Sequence, residues 1–207
     1  MPFLLIALPL FALLLWLSNG VRQIGQVSKG SKIHRRKNTA LLLVDLQTVF
    51  WQDGPYSETD KARAEQAITL QIAASRENGE PIIVLRQEWS LPVTKFIAKL
   101  AMKGQAIAGT PGTELAPPFF GRADYEIVKR VQDGFETGEL DELLSQLNIG
   151  TLKVAGLDGI YCVAKTAEAA LNRGYSVSLV TDGILTTEQE KMAAEYSRLT
   201  SKGATQA

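Results

Sequence analysis

One stretch in the second half of the chain constrains the fold most. Residues 152–155 form a short apolar run, typical of a strand that is covered on both faces. Gly156 and Gly159 then allow a sharp turn. The next residues are rich in Ala, Glu, Lys and Leu up to Gly174, which stands where a helix C-cap glycine belongs. Residues 175–181 read as a second strand, so we predict a βαβ unit.

The only cysteine of the chain, Cys162, lies at the first turn of the predicted helix. A thiol at this place feels the positive end of the helix dipole, which favours the thiolate. Free backbone N–H groups of the same turn are suited to hold a developing oxyanion. The other interpretation is that Cys162 is a small buried hydrophobe, as most lone cysteines are.

The remaining chain alternates between apolar runs and helical patterns, which predicts a parallel sheet covered on both sides. The fold class is therefore a three-layer α/β sandwich with a mostly parallel central sheet. Further strands are predicted at 39–44, 81–85 and 125–131, and helices at 57–78, 94–103, 138–148 and 188–201. A Gly- and Pro-rich loop or lid is predicted at 104–121. In such sheets the functional site lies beyond the carboxyl ends of the strands, where Asp45, Arg86 and the Cys162 turn fall.

Composition excludes several classes of protein. The 22 basic and 22 acidic residues give no net charge, so nothing favours bulk nucleic-acid binding. A single cysteine excludes an internal disulfide framework. One histidine, His34, and one cysteine argue against a His/Cys metal site within one chain, whereas a carboxylate site for a hard cation stays open.

The first segment predicts a membrane anchor. Residues 1–17 carry no charged side chain, and about 17 residues is the lower limit for a helix that crosses a bilayer. Basic residues follow the segment, and no acidic residue occurs before Asp45, so the positive-inside rule places the later part of the chain in the cytoplasm. The rival interpretation is a cleaved secretory signal, which would give a secreted or periplasmic protein.

The predicted domain organisation has three parts. Residues 1–17 form a single-pass transmembrane anchor, residues 18–37 a basic juxtamembrane linker, and residues 38–207 the globular domain. The linker either contacts anionic lipid head groups or is a solvated tether.

Several motifs of the globular part resemble the isochorismatase-like cysteine hydrolases. They are Asp45-Leu-Gln47 after a strand, the PGTEL sequence at 111–115, Lys129, and the AGLDGIYCV sequence at 155–163. The resemblance covers about residues 39–203. It is specific because the motifs occur together and in the family's order.

The resemblance implies a catalytic triad of Asp45, Lys129 and Cys162. The chemistry it implies is hydrolysis of a C–N bond, of the kind found in small amides, through a thioester on Cys162. The ammonium of Lys129 would favour the thiolate, and Asp45 would transfer protons. Backbone N–H groups at Cys162 and in the turn around Asp158 would hold the oxyanion. The family also has a cis peptide bond not involving proline in this turn, here expected between Leu157 and Asp158.

Three departures from the family pattern bear on function. The Asp-x-His metal motif of the family's nicotinamidases is absent, because residues 87–90 read QEWS. We therefore expect no metal and no cofactor. Asp158 followed by Gly159 replaces the usual oxyanion-turn sequence, which either brings an acidic side chain into the pocket or weakens activity. The family's last strand, after the final helix, is expected to be truncated.

Side chains near these positions are candidates for a substrate pocket. Arg86 is suited to bind a substrate carboxylate or to pair with Glu88 or Glu114. Each aromatic candidate is equally consistent with ordinary core or lid packing. The aromatic candidates are Phe50, Trp51, Trp89, Phe119, Phe120 and Tyr161.

The sequence thus leads to one main hypothesis and one alternative. The main hypothesis is a membrane-anchored amidohydrolase with a small-molecule substrate, and the resemblance implies self-association into a homo-oligomer as one option. The alternative is a hydrolase-fold binding module, held at the membrane, that has little or no turnover.

Overall fold

The computed structural model describes the backbone of residues 2–207 and the side chains from residue 9 onward. The strands of this part of the chain form one parallel sheet in the order β3-β2-β1-β4-β5-β6. The strands are β1 (Asn38–Val44), β2 (Ile82–Gln87), β3 (Tyr125–Lys129), β4 (Ile149–Gly156), β5 (Ser176–Ile184) and β6 (Thr205–Gln206).

Helices cover both faces of the sheet. They are α1 (Pro2–Gly25), α2 (Thr48–Trp51), α3 (Glu58–Glu77), α4 (Pro92–Ala101), α5 (Glu139–Gln146), α6 (Ala164–Arg173) and α7 (Gln189–Ser201). A 3₁₀ turn at Pro117–Phe119 and a π-helical turn at Gly159–Val163 complete the regular structure of the described residues.

Alternate residues of the central strand β1 build two separate cores. Leu42 packs with side chains of α5, α6 and α7 on one face of the sheet. Leu43 packs with side chains of α3 on the other face. Both leucines are fully buried, and burying a leucine contributes about 1.5–3 kcal/mol. Because both faces are covered, β1 reads as a continuous apolar run, and the predicted three-layer α/β fold is confirmed.

The βαβ unit around the cysteine is present with one unexpected detail. Gly174 ends α6 with φ 88°, the left-handed conformation that favours glycine at a helix C-cap. Between β4 and α6 the chain forms a π-helical turn rather than the first turn of an α-helix. Turns of this kind are frequent at functional sites, and here it carries Cys162.

The last strand, which we expected to be truncated, is present over two residues. Thr205 and Gln206 form β6, which pairs in parallel with β5 at Ser178 and Leu179. The strand is short, but the carbonyl of Ala207 also accepts hydrogen bonds from the backbone N–H and the hydroxyl of Thr181, at 3.0 and 3.1 Å. The edge of β5 is therefore paired over these residues.

The end of α1 packs against α4 of the globular domain. Gly20 makes this approach possible, because a Cβ atom there would lie 2.1 Å from Cγ2 of Val93. The rings of Trp16 and Phe96 lie 5.7 Å apart, and Ile24 is buried. The predicted boundary between anchor and linker at residue 17 therefore falls inside a continuous helix.

The anchor prediction covers residues 1–17, and the side chains of residues 1–8 lie outside the described part. Among the described residues, no helix is both long enough and apolar enough to cross a membrane.

The basic segment after α1 lies along the domain rather than free in solvent. Ser28 N–H donates to Oδ2 of Asp133 at 2.7 Å. The Arg173 guanidinium donates to the carbonyl of Ser28 at 3.2 Å, and the N–H of Ile33 donates to the carbonyl of Arg173 at 2.8 Å. Arg173 is buried and is also held by Asp141 through two hydrogen bonds of 2.8 and 3.0 Å. Hydrogen bonds thus attach much of the predicted linker to the globular domain.

We predict that Gly20→Leu displaces α1 from α4. The added side chain meets Val93 at a distance that no packing tolerates, and overpacking of this kind costs about 1–3 kcal/mol. Amide hydrogen exchange of residues 16–28 should accelerate, while the exchange of β1 and β4 stays unchanged. The exposed Ser18 provides the control, because Ser18→Leu adds the same bulk away from the contact. Equal exchange in both variants would contradict the prediction.

Candidate active site

Three side chains meet at the carboxyl ends of β1, β3 and β4. Asp45 follows β1, Lys129 ends β3, and Cys162 lies in the turn after β4. The Lys129 ammonium donates to Asp45 Oδ2 at 2.9 Å and lies 3.2 Å from the Cys162 Sγ. All three residues are buried, with 1%, 0% and 9% of their surface exposed. The structure therefore brings together the three residues that the sequence predicted as a triad.

Two glutamines missed by the sequence analysis hold the lysine in place. Lys129 donates to the side-chain oxygen of Gln87 at 2.6 Å, and the N–H of Gln87 donates to the side-chain oxygen of Gln47 at 2.6 Å. The Gln47 amide in turn donates to the carbonyls of Gln87 and Thr113, at 3.1 and 2.8 Å. The available signal was the position of Gln47, two residues after Asp45 in the recognised motif.

Asp45 has a strained backbone and one unused oxygen. Its φ of 55° lies in the left-handed region, which a non-glycine residue adopts only when the surrounding structure imposes it. Among the described residues, Oδ1 of Asp45 has no hydrogen-bond partner. A buried acceptor without a partner is costly, so this oxygen is a ready acceptor for a proton or a polar hydrogen.

The three groups titrate together. Burial, followed by the negative charge of Asp45, raises the pKa of Cys162 well above its ordinary value, and Lys129 offsets this only in part. Burial raises the pKa of the Asp45 carboxyl as well, against the lowering effect of Lys129. Burial alone would lower the pKa of Lys129, but the charges of Asp45 and Cys162 raise it overall.

The expectation of a lowered thiol pKa is therefore wrong in sign. The helix terminus and Lys129 both lower the thiol pKa, but burial and the neighbouring Asp45 carboxylate, which were left out, raise it by more. One ammonium faces two acidic groups, and a second negative charge in a buried site is expensive. The raised pKa values of Lys129 and of the Cys162 thiol keep the lysine protonated and the thiol neutral at neutral pH.

The turn before Cys162 is stabilised by Asp158. The peptide bond between Leu157 and Asp158 is cis, as the resemblance implied. Asp158 Oδ1 accepts a hydrogen bond from the N–H of Ile160 at 3.0 Å, and Oδ2 accepts one from the Tyr56 hydroxyl at 3.1 Å. Burial raises the pKa of the Asp158 carboxyl.

Most N–H groups of this turn already have acceptors. Those of Gly159, Tyr161 and Val163 donate to carbonyl oxygens of the protein, at 2.8, 3.1 and 3.2 Å. Together with Ile160, four donors on either side of Cys162 are thus engaged within the fold. The N–H groups of Asp158 and Cys162 are not among them, which makes these two the candidates for holding an oxyanion.

A cavity of about 480 Å³ opens onto Asp45 and Cys162. Three predicted wall residues, Phe50, Trp89 and Tyr161, line it, and Tyr161 is half exposed. The other lining residues are Pro55, Tyr56, Gln87, Met102, Gln105, Gln132, Leu157, Asp158, Thr187 and Glu188. The walls therefore combine aromatic surface with acidic and amide groups.

Three predicted wall residues lie elsewhere. Trp51 and Phe119 are buried against each other in the core on the α3 side, with their rings edge to face and 4.7 Å apart. Arg86 points away from the cavity because successive residues of β2 face opposite sides of the sheet, and Gln87 takes the inner position. Arg86 instead pairs with Glu88 and Glu126.

Phe120, the remaining aromatic candidate, is exposed and lines two other cavities, one of which also contains Arg86. Three of the six aromatic candidates therefore line the cavity that contains Cys162. The described residues contain no group of three or more His, Cys, Asp or Glu side chains that could hold a metal ion.

We predict a high midpoint for the alkylation of Cys162 by iodoacetamide as the pH is raised. Only the thiolate reacts, and burial with the Asp45 charge raises the pKa of the thiol, so the midpoint should exceed the value of about 8.5 for a free cysteine. Asp45→Asn removes the negative charge and should shift the midpoint to lower pH. The exposed Asp182 supplies the control Asp182→Asn, which should leave the profile unchanged. A wild-type midpoint below that of free cysteine would contradict the charge state described above.

We also predict that Lys129→Met lowers the free energy of unfolding by about 3–5 kcal/mol, because it leaves Asp45 buried without its counter-ion. The double variant Asp45→Asn, Lys129→Met should recover part of this loss, since it removes the charge as well. Denaturant unfolding of the single and double variants measures both values. Equal free energies of unfolding for the single and the double variant would contradict the prediction, because the unpaired charge of Asp45 would then carry no cost.

The comparisons with known proteins agree with this geometry. A family model described as the isochorismatase domain matches residues 39–207. The isochorismatase family protein YrdC of Bacillus subtilis is 29% identical over 145 residues, which cover 69% of this chain and 71% of that protein. A streptothricin hydrolase of Streptomyces noursei is 31% identical over 144 residues, which cover 69% of this chain but only 48% of that enzyme.

A solved structure shares the fold. The N-carbamoylsarcosine amidase of Thermoplasma acidophilum superposes with a TM-score of 0.70 at 24% identity, over 82% of this chain and 95% of that one. At this identity the match concerns the fold alone.

Proposed function

The chain belongs to the isochorismatase family, and we propose that it hydrolyses a C–N bond of a small amide, with Cys162 as the nucleophile. The observation that carries the proposal is the buried contact of one ammonium, Lys129, with both a carboxylate and a thiol. The similarity to a streptothricin hydrolase supports a hydrolytic function.

The first half of the proposed reaction acylates the enzyme. Asp45 takes the proton of the Cys162 thiol while Sγ attacks the carbonyl carbon of the amide. The N–H groups of Asp158 and Cys162 hold the oxyanion of the tetrahedral intermediate. When the intermediate collapses, the C–N bond breaks, Asp45 passes its proton to the leaving nitrogen, and a thioester on Cys162 remains.

The second half releases the acid. Asp45, again ionised, takes a proton from a water molecule, and the resulting hydroxide attacks the thioester carbon. The C–S bond breaks, Cys162 leaves as thiolate and recovers the proton from Asp45. Each step leaves one negative charge near the ammonium of Lys129, carried by Asp45, by the Cys162 thiolate or by the oxyanion, so the buried site avoids an added charge.

The raised pKa of the Asp45 carboxyl fits this role. A proton carrier works best when its pKa approaches the operating pH, and burial moves that of Asp45 upward from its ordinary value. The high thiol pKa is then no obstacle, because the proton moves directly to Asp45 instead of to solvent.

We predict that Asp45→Asn lowers kcat/KM by about 10²–10⁴-fold, the usual contribution of a general base. Cys162→Ala should abolish turnover. Ammonia release from a panel of aromatic, aliphatic and cationic primary amides measures the rate. Asp53→Asn, at an exposed position outside the cavity, provides the control and should keep the wild-type rate.

A probe that does not depend on the natural substrate completes this test. The wild-type protein is treated with p-nitrophenyl acetate and analysed by mass spectrometry for an acetyl group on Cys162. Acylation of the wild-type protein that disappears in Cys162→Ala supports the proposal. A wild-type cysteine that is not acylated would overturn it and favour the alternative of a binding module with a hydrolase fold.

A further inference from the structure

The exposed apolar surface of this protein is concentrated on two helices. Among residues 9–207, thirteen large apolar side chains are exposed, and nine of them belong to α1 and α4. These nine are Leu10, Phe11, Leu13, Leu14, Leu15, Trp16 and Val21 on α1, and Phe96 and Leu100 on α4. A patch of this extent on a protein surface marks an interaction site.

The two helices form one continuous surface. Their close contact at Gly20 and the Trp16–Phe96 ring pair join the apolar residues of α1 to those of α4. We call this surface the α1–α4 face; it consists of the nine apolar residues above and the lysines of α4 and the turn that follows it.

The arrangement on α4 is amphipathic. Val93 and Ile97 are buried against the domain, whereas Phe96, Leu100 and Lys103 are exposed. Within α4, residues 99 and 100 follow residue 96 by three and four positions, so their side chains share one side of the helix, and Lys103 lies in the turn after it. Apolar and basic groups therefore alternate on the same exposed side.

The charge of the α1–α4 face is of one sign. Lys95, Lys99 and Lys103 form no ion pair within the described part of the chain, and α4 contains no acidic residue. No acidic residue precedes Asp45 in the sequence either, although basic residues such as Arg22 and Lys29 follow the apolar part of α1. A basic face with apolar side chains complements the negatively charged surface of a lipid bilayer.

We propose that the α1–α4 face rests on an anionic lipid surface, with Phe96 and Leu100 at the level of the head groups and the lysines against lipid phosphates. The proposal concerns α4 as a second lipid contact and is independent of whether α1 crosses the bilayer. A second copy of the chain is a poorer occupant, because two faces of the same positive sign repel each other.

The inferred contact places the cavity beside the membrane. Met102 and Gln105 follow α4 directly, and both line the cavity that contains Cys162. The N–H of Trp89, another wall residue, donates to the carbonyl of Ala106 at 2.8 Å. This step rests on the proposed function, and it implies that substrate enters at the boundary between lipid and water.

A fluorophore on α4 tests the contact directly. In full-length protein carrying Cys162→Ala, Leu100→Cys is labelled with the environment-sensitive dye NBD. Leu70→Cys is the matched control, because Leu70 is an equally exposed leucine (63% against 71%) on α3, a helix with acidic residues. Each protein is mixed with vesicles of phosphatidylcholine alone or of phosphatidylcholine with phosphatidylglycerol.

We expect NBD emission at residue 100 to rise several-fold and shift to the blue on the anionic vesicles, with little change at residue 70. Replacement of Lys95, Lys99 and Lys103 by glutamine should reduce the response at residue 100, as should added salt. Because these proteins lack the nucleophile, the result does not depend on whether the wild-type protein is a hydrolase.

Four results would overturn the proposal. The first is an unchanged emission at residue 100 in protein that floats with the vesicles, and the second is an equal response at residues 70 and 100. The third is a change at residue 100 that depends on protein concentration without vesicles, which would assign the face to a second copy of the chain. Absence of any vesicle binding would likewise refute the lipid contact.

Discussion

The ammonium of Lys129 is the interaction on which the site depends. It is fully buried and contacts Asp45, Cys162 and Gln87, which come from three different strand ends. Burial alone would lower the pKa of such a lysine, and the charge of Asp45 raises it; in return, Lys129 opposes the rise that burial causes in the pKa of Asp45. The side chains at the ends of the strands are thus held together by one shared charge.

Much of the fold was predictable because it follows from local patterns. The continuous apolar run of β1 and the glycine at 174 each have one good structural interpretation, and the structure confirms both. The convergence of Asp45 and the Cys162 turn was also predictable, since parallel strands end at one edge of the sheet, whereas Lys129 was added by the resemblance to the family. Gln87 was missed because an amide that hydrogen-bonds a buried lysine leaves no periodic or compositional trace, and the motif position of Gln47 did not show that it holds Gln87.

Electrostatics and side-chain direction could not be deduced from position along the chain. The thiol pKa depends on burial and on Asp45, more than a hundred residues away in sequence, so a helix terminus alone gave the wrong sign. Arg86 and Gln87 are neighbours in β2 and face opposite sides of the sheet. Only the position of β2 within the sheet decides that Gln87 faces the cavity. Trp51 lies in α2 and Phe119 lies in the 3₁₀ turn at Pro117–Phe119. No local sequence pattern encodes the contact between these two distant parts of the chain.

The way α1 and the following segment are held has a mechanical consequence. Between Gly20, packed on Val93, and Ile33, bonded to Arg173, the chain has several fixed points instead of a freely jointed length. A flexible linker lets a domain sample many orientations at a distance that grows with the square root of its length. Here these contacts hold α1 and the segment after it against α4 and α6, so a force or torque applied to the helix acts on the folded domain instead of being absorbed by a slack linker.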